Sequence, residues 1–295
     1  MSLRNRTFLL VLFLILITLA AAGRDAAKGW AHRADEVLFH EALKDAIGRW
    51  TSSEDWARAV PLARPQDYGW LGRGPATVPI AHALGETRGE GNTLPALRRS
   101  VAAGFKFFEV DLWLDGDVVR CFHGPGPLPP LWPGDCTFES LLDALPADAW
   151  LVLDIKSDFV ATGNRVVESL RQRGCAEHMI FQLYQPEDLA TFNGWQAVLP
   201  FPGPIVTIYA AHRSADHMAA EASLAGVRAF TLPMSRLASF DRRPVALALF
   251  VHPVDDCAAL AAARAQGVRG VYMENDLGCD AMPTTVRPRA PASLR

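Results

Sequence analysis

Short strand-like runs alternate with helical stretches over most of the chain. The strand-like runs lie at 78–81, 107–114, 150–155, 179–183, 205–210, 227–232, 245–251 and 268–273. Helical stretches lie between several of them, at 165–173, 186–192, 216–224 and 255–266. Eight βα units in roughly 200 residues predict a compact (β/α)8 TIM barrel. A doubly wound open sheet is the alternative, but no G-x-G-x-x-G sequence follows the first strand.

Two carboxylates lie one residue apart in the second strand-like run. Glu109 and Asp111 are separated only by Val110, and side chains at positions i and i+2 of a strand project to the same face. Adjacent carboxylates repel each other unless a positive charge lies between them, and a divalent cation is the usual solution. The spacing therefore predicts a cation site on this strand.

A tight turn follows directly after these acids. Asp115-Gly116-Asp117 separates the second strand from the apolar run at 118–122, which leaves too few residues for a parallel crossover. We therefore expect the return strand to be antiparallel. Counting outward from the turn gives these neighbours: Leu114 with Asp117, Asp111 with Arg120, and His123 with Phe108 or Glu109. The hairpin is thus predicted to bring the His123 imidazole beside the acidic pair.

Further polar side chains follow other predicted strands. His82 comes directly after the strand at 78–81, and Asp154 and Lys156 share one face at the end of the strand at 150–155. Active sites of TIM barrels lie at the C-terminal ends of the strands, so we expect these side chains to line one mouth with Glu109 and Asp111. Asp154 would add a third oxygen ligand for a hard cation. A structural ion pair is the alternative for Asp154 and Lys156.

As an ordered set, these residues resemble the glycerophosphodiester phosphodiesterase family, within the wider group of phospholipase-C-like barrels. The resemblance covers roughly residues 78–280 and is carried by His82, Asn92-Thr93, Glu109-Val110-Asp111, His123 and Asp154-Ile155-Lys156. It implies that Glu109, Asp111 and Asp154 hold a divalent cation, Mg²⁺ or Ca²⁺. It also implies that His82 and His123 are the general acid and base of a cleavage in which a glycerol hydroxyl attacks and water opens the cyclic phosphate. Lys156 is expected to offset charge on the substrate phosphate.

The chain departs from the family pattern at four places. It has His82-Ala83-Leu84-Gly85 where the family usually has His-Arg-Gly, so an expected phosphate-binding arginine is missing. It has Gly91 for the Glu of Glu-Asn-Thr, Gly124 for the Asp after the second histidine, and Asp154 for a longer Glu. Candidates to supply part of what is lost are Glu86, Arg88 and Glu90. These differences indicate a divergent member and bear on the substrate more than on the reaction type.

Three functions fit these residues. The first is a metal-dependent phosphodiester hydrolase that cleaves glycerophosphodiesters or lysophospholipid-like diesters. The second is a phospholipase-C/D-like lyase that uses the same histidines but stops at a cyclic phosphate. The third is a catalytically inactive barrel that binds a phosphorylated ligand. Three acidic ligands favour the first function, because a lyase that works with a basic residue does not need the cation.

The N-terminal residues have the composition of a targeting signal. Residues 7–23 carry no charge, follow Arg4 and Arg6, and include Ala20-Ala21-Ala22, which suits a cleavage site. Residues 1–23 are therefore predicted to be a signal peptide, with an uncleaved membrane anchor as the alternative. Either one places the protein outside the cytoplasm, in the periplasm or secreted. The rest divides into a helical extension at 24–75, forming a stalk or a clasp beneath the barrel, the barrel domain at 76–280 and a tail at 281–295.

The five cysteines leave at least one unpaired. Cys257 and Cys279 each follow a late strand closely, so a bridge between them fits one rim of a barrel. Cys121, two residues before His123, is expected to pack as a small apolar side chain. The cysteines lack C-x-x-C spacing, so a zinc site is not expected.

Small-molecule or lipid phosphodiesters are the expected partners. The net charge of −3 gives no basic patch for nucleic acid. The proline-rich stretch at 124–134 forbids regular helix or interior strand. With Leu128, Leu131 and Trp132 as its apolar points, it is predicted to be a lid over the mouth, and a loop packed flat on the rim is the alternative. Membrane contact is expected through this loop and the N-terminal segment.

Overall fold

The computed structural model describes residues 56–72, 77–86, 90–124, 135–208, 215–239, 247–274 and 276–279. Several predictions lie outside the described residues: the signal or anchor segment, the helical stretches before residue 56, nearly all of the proline-rich loop, and the C-terminal tail. Among the helices of the described ranges, none combines the length and the apolar character needed to cross a membrane.

Eight parallel strands form a closed barrel, and one further strand is added to it antiparallel. The strands are β1 (Val78–Ala81), β2 (Phe107–Asp115), β3 (Val118–Cys121), β4 (Trp150–Ile155), β5 (Met179–Leu183), β6 (Ile205–Thr207), β7 (Ala229–Pro233), β8 (Ala248–His252) and β9 (Gly270–Met273). Their order is β1-β9-β8-β7-β6-β5-β4-β2-β3, and pairing of β1 with β2 closes the barrel. The predicted (β/α)8 architecture is confirmed.

Helices in the crossovers cover the outside of the barrel. They are α1 (Leu94–Ala102), α2 (Phe138–Ala144), α3 (Phe159–Arg173), α4 (Asp188–Gln196), α5 (Ala215–Leu224) and α6 (Cys257–Ala265). Capping residues set several of their starts: the side chains of Thr93, Asp158 and Asp256 accept hydrogen bonds from the first turns of α1, α3 and α6. Gly174, in the left-handed conformation, ends α3.

The N-terminal half of the barrel interior is apolar. Alternate strand residues point inward and form one buried cluster with Trp70 and its neighbours: Val78, Ile80, Phe107, Val152, Ile180, Ile205, Ala229, Ala248, Phe250 and Tyr272. The Trp70 ring lies 5.7 Å from the Phe250 ring and 6.4 Å from the Phe107 ring. Trp70 therefore closes this end of the barrel like a plug.

Residues 56–72 run beneath the barrel and bring Trp70 into place. The Leu62 amide donates to the carbonyl of Ala225 at 2.8 Å, and the Tyr68 hydroxyl donates to the carbonyl of Pro204 at 3.1 Å. The Arg269 guanidinium, at the start of β9, donates to the carbonyl of Leu71. This segment is a clasp that contains two short 3-10 turns, Trp56–Arg58 and Gly69–Leu71.

The β2–β3 hairpin is antiparallel as predicted, but its predicted register is wrong. Trp113 pairs with Arg120, and the Phe122 amide donates to the carbonyl of Asp111 at 2.8 Å. The return strand is therefore displaced by two residues from the predicted pairing. The reason is the turn: it is centred on Gly116, with φ of 58°, and the next residue, whereas the prediction centred it one residue earlier.

Two disulfide bonds link segments on the outside of the barrel. The bond between Cys257 and Cys279 agrees with the prediction. The expectation for Cys121 is wrong, because it is bonded to Cys136, whose Cα lies 5.4 Å away. Cys175 is free, as the odd count requires.

Candidate active site

Polar side chains line the C-terminal half of the barrel interior, above the apolar cluster. The same inward-pointing parity that supplies apolar residues below supplies polar ones here: Glu109 and Asp111 on β2, Asp154 on β4, Gln182 on β5, Thr207 on β6, Thr231 on β7 and His252 on β8. His82 follows β1, and Lys156 follows β4. The predicted site residues therefore lie at the barrel mouth, where TIM-barrel chemistry takes place.

Three of these side chains form a buried acidic cluster. Glu109, Asp111 and Asp154 are 1%, 3% and 3% exposed, and each contributes a carboxylate oxygen within 4.8 Å of the other two. Burial and the charges of Asp111 and Asp154 raise the pKa of Glu109 well above its usual value. Burial also raises the pKa of Asp154, with Asp111 adding to the effect and Lys156 opposing it. The cluster thus resists carrying three negative charges.

Asp111 ionises most readily of the three. Burial opposes its ionisation, but the charges of Lys156, His123 and His82 outweigh burial and lower the pKa of Asp111 to about 2. Lys156 Nζ lies 3.4 Å from Asp111 Oδ1. Asn92 grips the same residue twice: its Nδ2 donates to Asp111 Oδ2 at 2.7 Å, and its Oδ1 accepts from the Asp111 amide at 3.0 Å.

A backbone amide holds Glu109. The turn after β1, His82–Leu84, places Ala83 and Leu84 at φ of 47° and 64°, a left-handed conformation that is rare for residues with a side chain. In this conformation the Ala83 amide donates to Glu109 Oε2 at 2.6 Å. The backbone strain at Ala83 is therefore linked to a contact with the acidic cluster.

Asp154 lies in a denser network of donors. Its Oδ2 accepts from Lys156 Nζ at 2.8 Å, from Gln182 Nε2 at 2.8 Å and from the Tyr184 hydroxyl at 2.6 Å. Its Oδ1 is buried and has no hydrogen-bond partner within the part of the chain that the structure describes. The Tyr272 hydroxyl donates to Gln182 Oε1 at 2.9 Å, which connects β9 to this network.

Two histidines flank the acids. His82 Nε2 lies 4.0 Å from Glu109 Oε2, and its ring is edge-on to Tyr272 at 6.4 Å. His82 Nδ1 is buried without a hydrogen-bond partner among the described residues. His123 follows β3, is half-buried, and its charge favours ionisation of Asp111. Both imidazoles therefore lie near the cluster, each directly after a strand that pairs with β2.

The donor set suits a hard divalent cation. Among the described residues, the Lys156 ammonium contacts two of the three buried carboxylates, and the buried Asp154 Oδ1 has no donor. Carboxylate oxygens are the ligands that Mg²⁺ and Ca²⁺ prefer. A divalent cation would balance the charge that one ammonium leaves unbalanced, so the residues fit such an ion.

Solved structures with a similar fold include two phosphodiesterases. A glycerophosphodiester phosphodiesterase from Parabacteroides distasonis gives a TM-score of 0.54 at 18% identity, covering 67% of this chain and 92% of that chain. A phosphodiesterase from Oleispira antarctica, in complex with the product sn-glycerol-3-phosphate, gives 0.53 at 17% identity, covering 68% and 93%. The barrel has the glycerophosphodiester phosphodiesterase fold. No family model and no curated protein matches the sequence.

Sequence reasoning missed two tyrosines at the mouth of the barrel. Tyr184 lies two residues after Gln182, and Tyr272 is an inward residue of β9, so the i, i+2 parity that identified the acids would have found both. Asn92 entered the sequence analysis only as part of the family resemblance, with no role assigned to it. Its side chain bonds Asp111, and the Thr93 side chain caps α1.

Two further histidines, His252 and His178, lie at opposite ends of the barrel. His252 Nδ1 lies 2.9 Å from Thr231 Oγ1 at the mouth. The His178 ring packs against the Trp150 ring, with centroids 4.5 Å apart and the planes tilted by 32°, at the N-terminal end of the strands. His178 therefore lies at the opposite end of the phosphodiesterase-like barrel from the acids.

Proposed function

We propose that the chain is a divergent glycerophosphodiester phosphodiesterase that hydrolyses glycerophosphodiesters or lysophospholipid-like diesters with a divalent cation, Mg²⁺ or Ca²⁺. The observation that carries this proposal is the buried cluster of Glu109, Asp111 and Asp154 beside Lys156 at the mouth of the barrel. The fold of the phosphodiesterases from Parabacteroides distasonis and Oleispira antarctica supports it. A phosphodiester is anionic, and this mouth collects the groups that bind and polarise an anion.

His82 and His123 are the proposed proton carriers. One accepts the proton of the attacking hydroxyl, and the other protonates the departing alkoxide, because imidazoles with pKa values near neutrality suit both transfers. The proximity of His82 to Glu109 and of His123 to Asp111 supports this assignment. The buried, unpartnered Nδ1 of His82 leaves that histidine without a donor or acceptor within the described chain to fix its tautomer.

Glu109, Asp111 and Asp154 are the proposed cation ligands. The cation would supply charge stabilisation to the non-bridging phosphate oxygens. Lys156 adds a second positive group, since its ammonium lies between Asp111 and Asp154 at 3.4 Å and 2.8 Å. Lys156 is therefore the proposed phosphate contact, in place of the arginine that the chain lacks after His82.

A diester panel tests the proposal. Purified protein is assayed on glycerophosphocholine, glycerophosphoethanolamine, lysophosphatidylcholine and phosphatidylinositol, first with EDTA and then with Mg²⁺ or Ca²⁺ restored. We expect hydrolysis that EDTA abolishes and a cation restores, and a loss of about 10²–10⁴-fold in kcat for His82→Ala and for His123→Ala. His178→Ala, at the other end of the barrel, is the matched control and keeps full activity.

Other outcomes would identify the alternatives. Release of a cyclic phosphate as final product, with EDTA-resistant turnover, would indicate a lyase. No turnover of any diester, combined with tight binding of sn-glycerol 3-phosphate, would indicate a binding protein. Retained activity in His82→Ala would contradict the assignment of the proton carriers.

We further propose that the protein acts outside the cytoplasm. Disulfides such as Cys121–Cys136 and Cys257–Cys279 form and persist in oxidising compartments, and residues 1–23 have the composition of a signal peptide or anchor. Fractionation of cells that express the full chain, with thiol labelling of each fraction, tests this. Recovery in the cytoplasm with all five thiols labelled would contradict it.

A further inference from the structure

The two oxygens of Asp154 have opposite surroundings. Oδ2 accepts three hydrogen bonds, from Lys156, Gln182 and Tyr184, whereas the buried Oδ1 accepts none from the described residues. A buried carboxylate oxygen without a donor is unfavourable unless another group binds it. The asymmetry indicates that the protein saturates one oxygen and keeps the other for a ligand.

Hydrogen-bond chemistry fixes the roles of the supporting side chains. Tyr272 donates to Gln182 Oε1, so the Gln182 amide must present its NH₂ group to Asp154 and Tyr184. The Tyr184 hydroxyl has one proton, and its shortest contact, 2.6 Å, is to Asp154 Oδ2. Its lone pairs then accept from Lys156 at 3.1 Å and from Gln182 at 2.9 Å. The amide of Gln182 and the hydroxyl of Tyr184 therefore each have partners of the required kind.

We infer that Gln182 and Tyr184, held by Tyr272, are positioning residues that keep Asp154 Oδ1 as the single oxygen offered to the cation. The inference rests on the proposed function and extends it to residues that do not touch the cation. Asp154 is one methylene shorter than the glutamate typical of the family, so it reaches less far into the mouth. Gln182 of β5 and Tyr184, which follows β5, donate to it directly, and Tyr272 of β9 holds Gln182.

Cation binding without substrate tests the inference. Mg²⁺ and Ca²⁺ are titrated separately into the full chain by calorimetry, for the wild type and for Gln182→Met, Tyr184→Phe and Tyr272→Phe. We expect the cation affinity to fall by about 10–100-fold for the first two variants, as is typical when a partner of a metal ligand is removed. Tyr272→Phe should lose less, because Tyr272 acts on Asp154 only through Gln182.

The chain contains matched control residues at the other end of the barrel. Gln196 is a buried amide bonded to Gln66 and to the carbonyl of Phe201. Tyr68 is a tyrosine whose hydroxyl is bonded to Pro204 and Arg228. Gln196→Met and Tyr68→Phe remove the same polar atoms and should keep the wild-type cation affinity, even where they lower the unfolding temperature.

The outcomes separate the two proposals. If the wild type binds a cation and the three network variants bind it equally well, the inference is wrong and the proposed function stands. If the wild type binds neither cation, the cation-dependent function fails and the inference fails with it. A drop in affinity for the controls as large as for the network variants would also overturn the inference. Three variants on two strands address the same oxygen, so a folding defect in one leaves the test intact.

Discussion

The same strands form both halves of the barrel interior, but the two halves differ in character. The lower half, at the N-terminal ends of the strands, is apolar, and the upper half, at their C-terminal ends, is polar. On β2, Phe107 faces the apolar plug and Glu109 faces the acidic cluster; on β4, Trp150 and Asp154 divide in the same way. About 13 Å of strand separates Trp150 from Asp154, since each residue advances about 3.3 Å. The lower half buries aromatic rings, which favours folding. The upper half buries carboxylates that repel one another, which opposes it.

This contrast shows where stability and chemistry are located. Raised pKa values for Glu109 and Asp154 mean that their buried environment disfavours the charged forms. The stability of the lower half and of the helices around the barrel offsets that cost. Substitutions in the two halves should therefore have opposite signs for stability and different consequences for turnover.

The largest expected effect is that of Glu109→Gln. Loss of one proposed ligand should lower kcat by about 10³-fold, since a bound cation contributes several kcal/mol of charge stabilisation. The same change removes one of three mutually repelling acids, so the unfolding temperature measured in EDTA should rise. The surface substitution Glu139→Gln, which disturbs an exposed ion pair with Arg173, is the control and should change neither quantity by much. A lower unfolding temperature for Glu109→Gln would contradict the proposed cost of the cluster.

Trp70→Ala tests the other half. Removing this buried ring should lower the free energy of unfolding by about 3–5 kcal/mol, the range for truncating a large buried aromatic side chain. At temperatures where the variant stays folded, kcat should be unchanged, because Trp70 lies beneath the barrel. Denaturant unfolding and initial rates on the same sample provide the measurement. A large fall in kcat at full folding would show that the two halves are not independent.

Strand periodicity made much of this arrangement predictable. Glu109 and Asp111 of β2 lie near Asp154 and Lys156 at the end of β4, because parallel strands of a barrel end at one rim. The strand pattern of the sequence is enough to predict this. The hairpin register was not predictable in the same way. It depends on which residue adopts a positive φ, and moving the turn centre by one residue displaced the return strand by two.

Contacts between residues that are far apart in the sequence also could not be predicted. Cys121 and Cys136 lie together where Thr137 pairs with Arg120 of β3, a contact that the sequence does not indicate. Tyr272 is 90 residues from Gln182 along the chain, and in sequence it resembles any aromatic residue of a buried strand. Its role emerges only when the barrel closes.

Removal of either disulfide should have an effect of intermediate size on stability. They close loops with sequence separations of 15 and 22 residues, so each should contribute about 3 kcal/mol to the free energy of unfolding. Cys121→Ser/Cys136→Ser and Cys257→Ser/Cys279→Ser should therefore lose similar stability. Only the first pair should also lower kcat, because Cys121 anchors the strand that leads to His123. Equal kcat in both double variants would show that the Cys121–Cys136 bond is not needed to position His123.

The smallest expected effect belongs to Tyr68 in the clasp. Burial raises the pKa of its phenol above the usual value of 10, although the contact with Arg228 opposes the shift. The stability that this group contributes is fully present below pH 10 and is lost as the pH rises above 10 toward the folded-state pKa, because the unfolded chain deprotonates first. Tyr68→Phe should cost about 1 kcal/mol at pH 7 through the lost hydrogen bonds. The difference between the variant and the wild type should narrow above pH 10, since phenylalanine has no proton to lose. Chemical unfolding of both proteins at pH 7, 9, 10 and 11 measures the difference in their free energies of unfolding. A difference that stays constant with pH would mean that the Tyr68 phenol ionises as readily in the folded protein as in the unfolded chain.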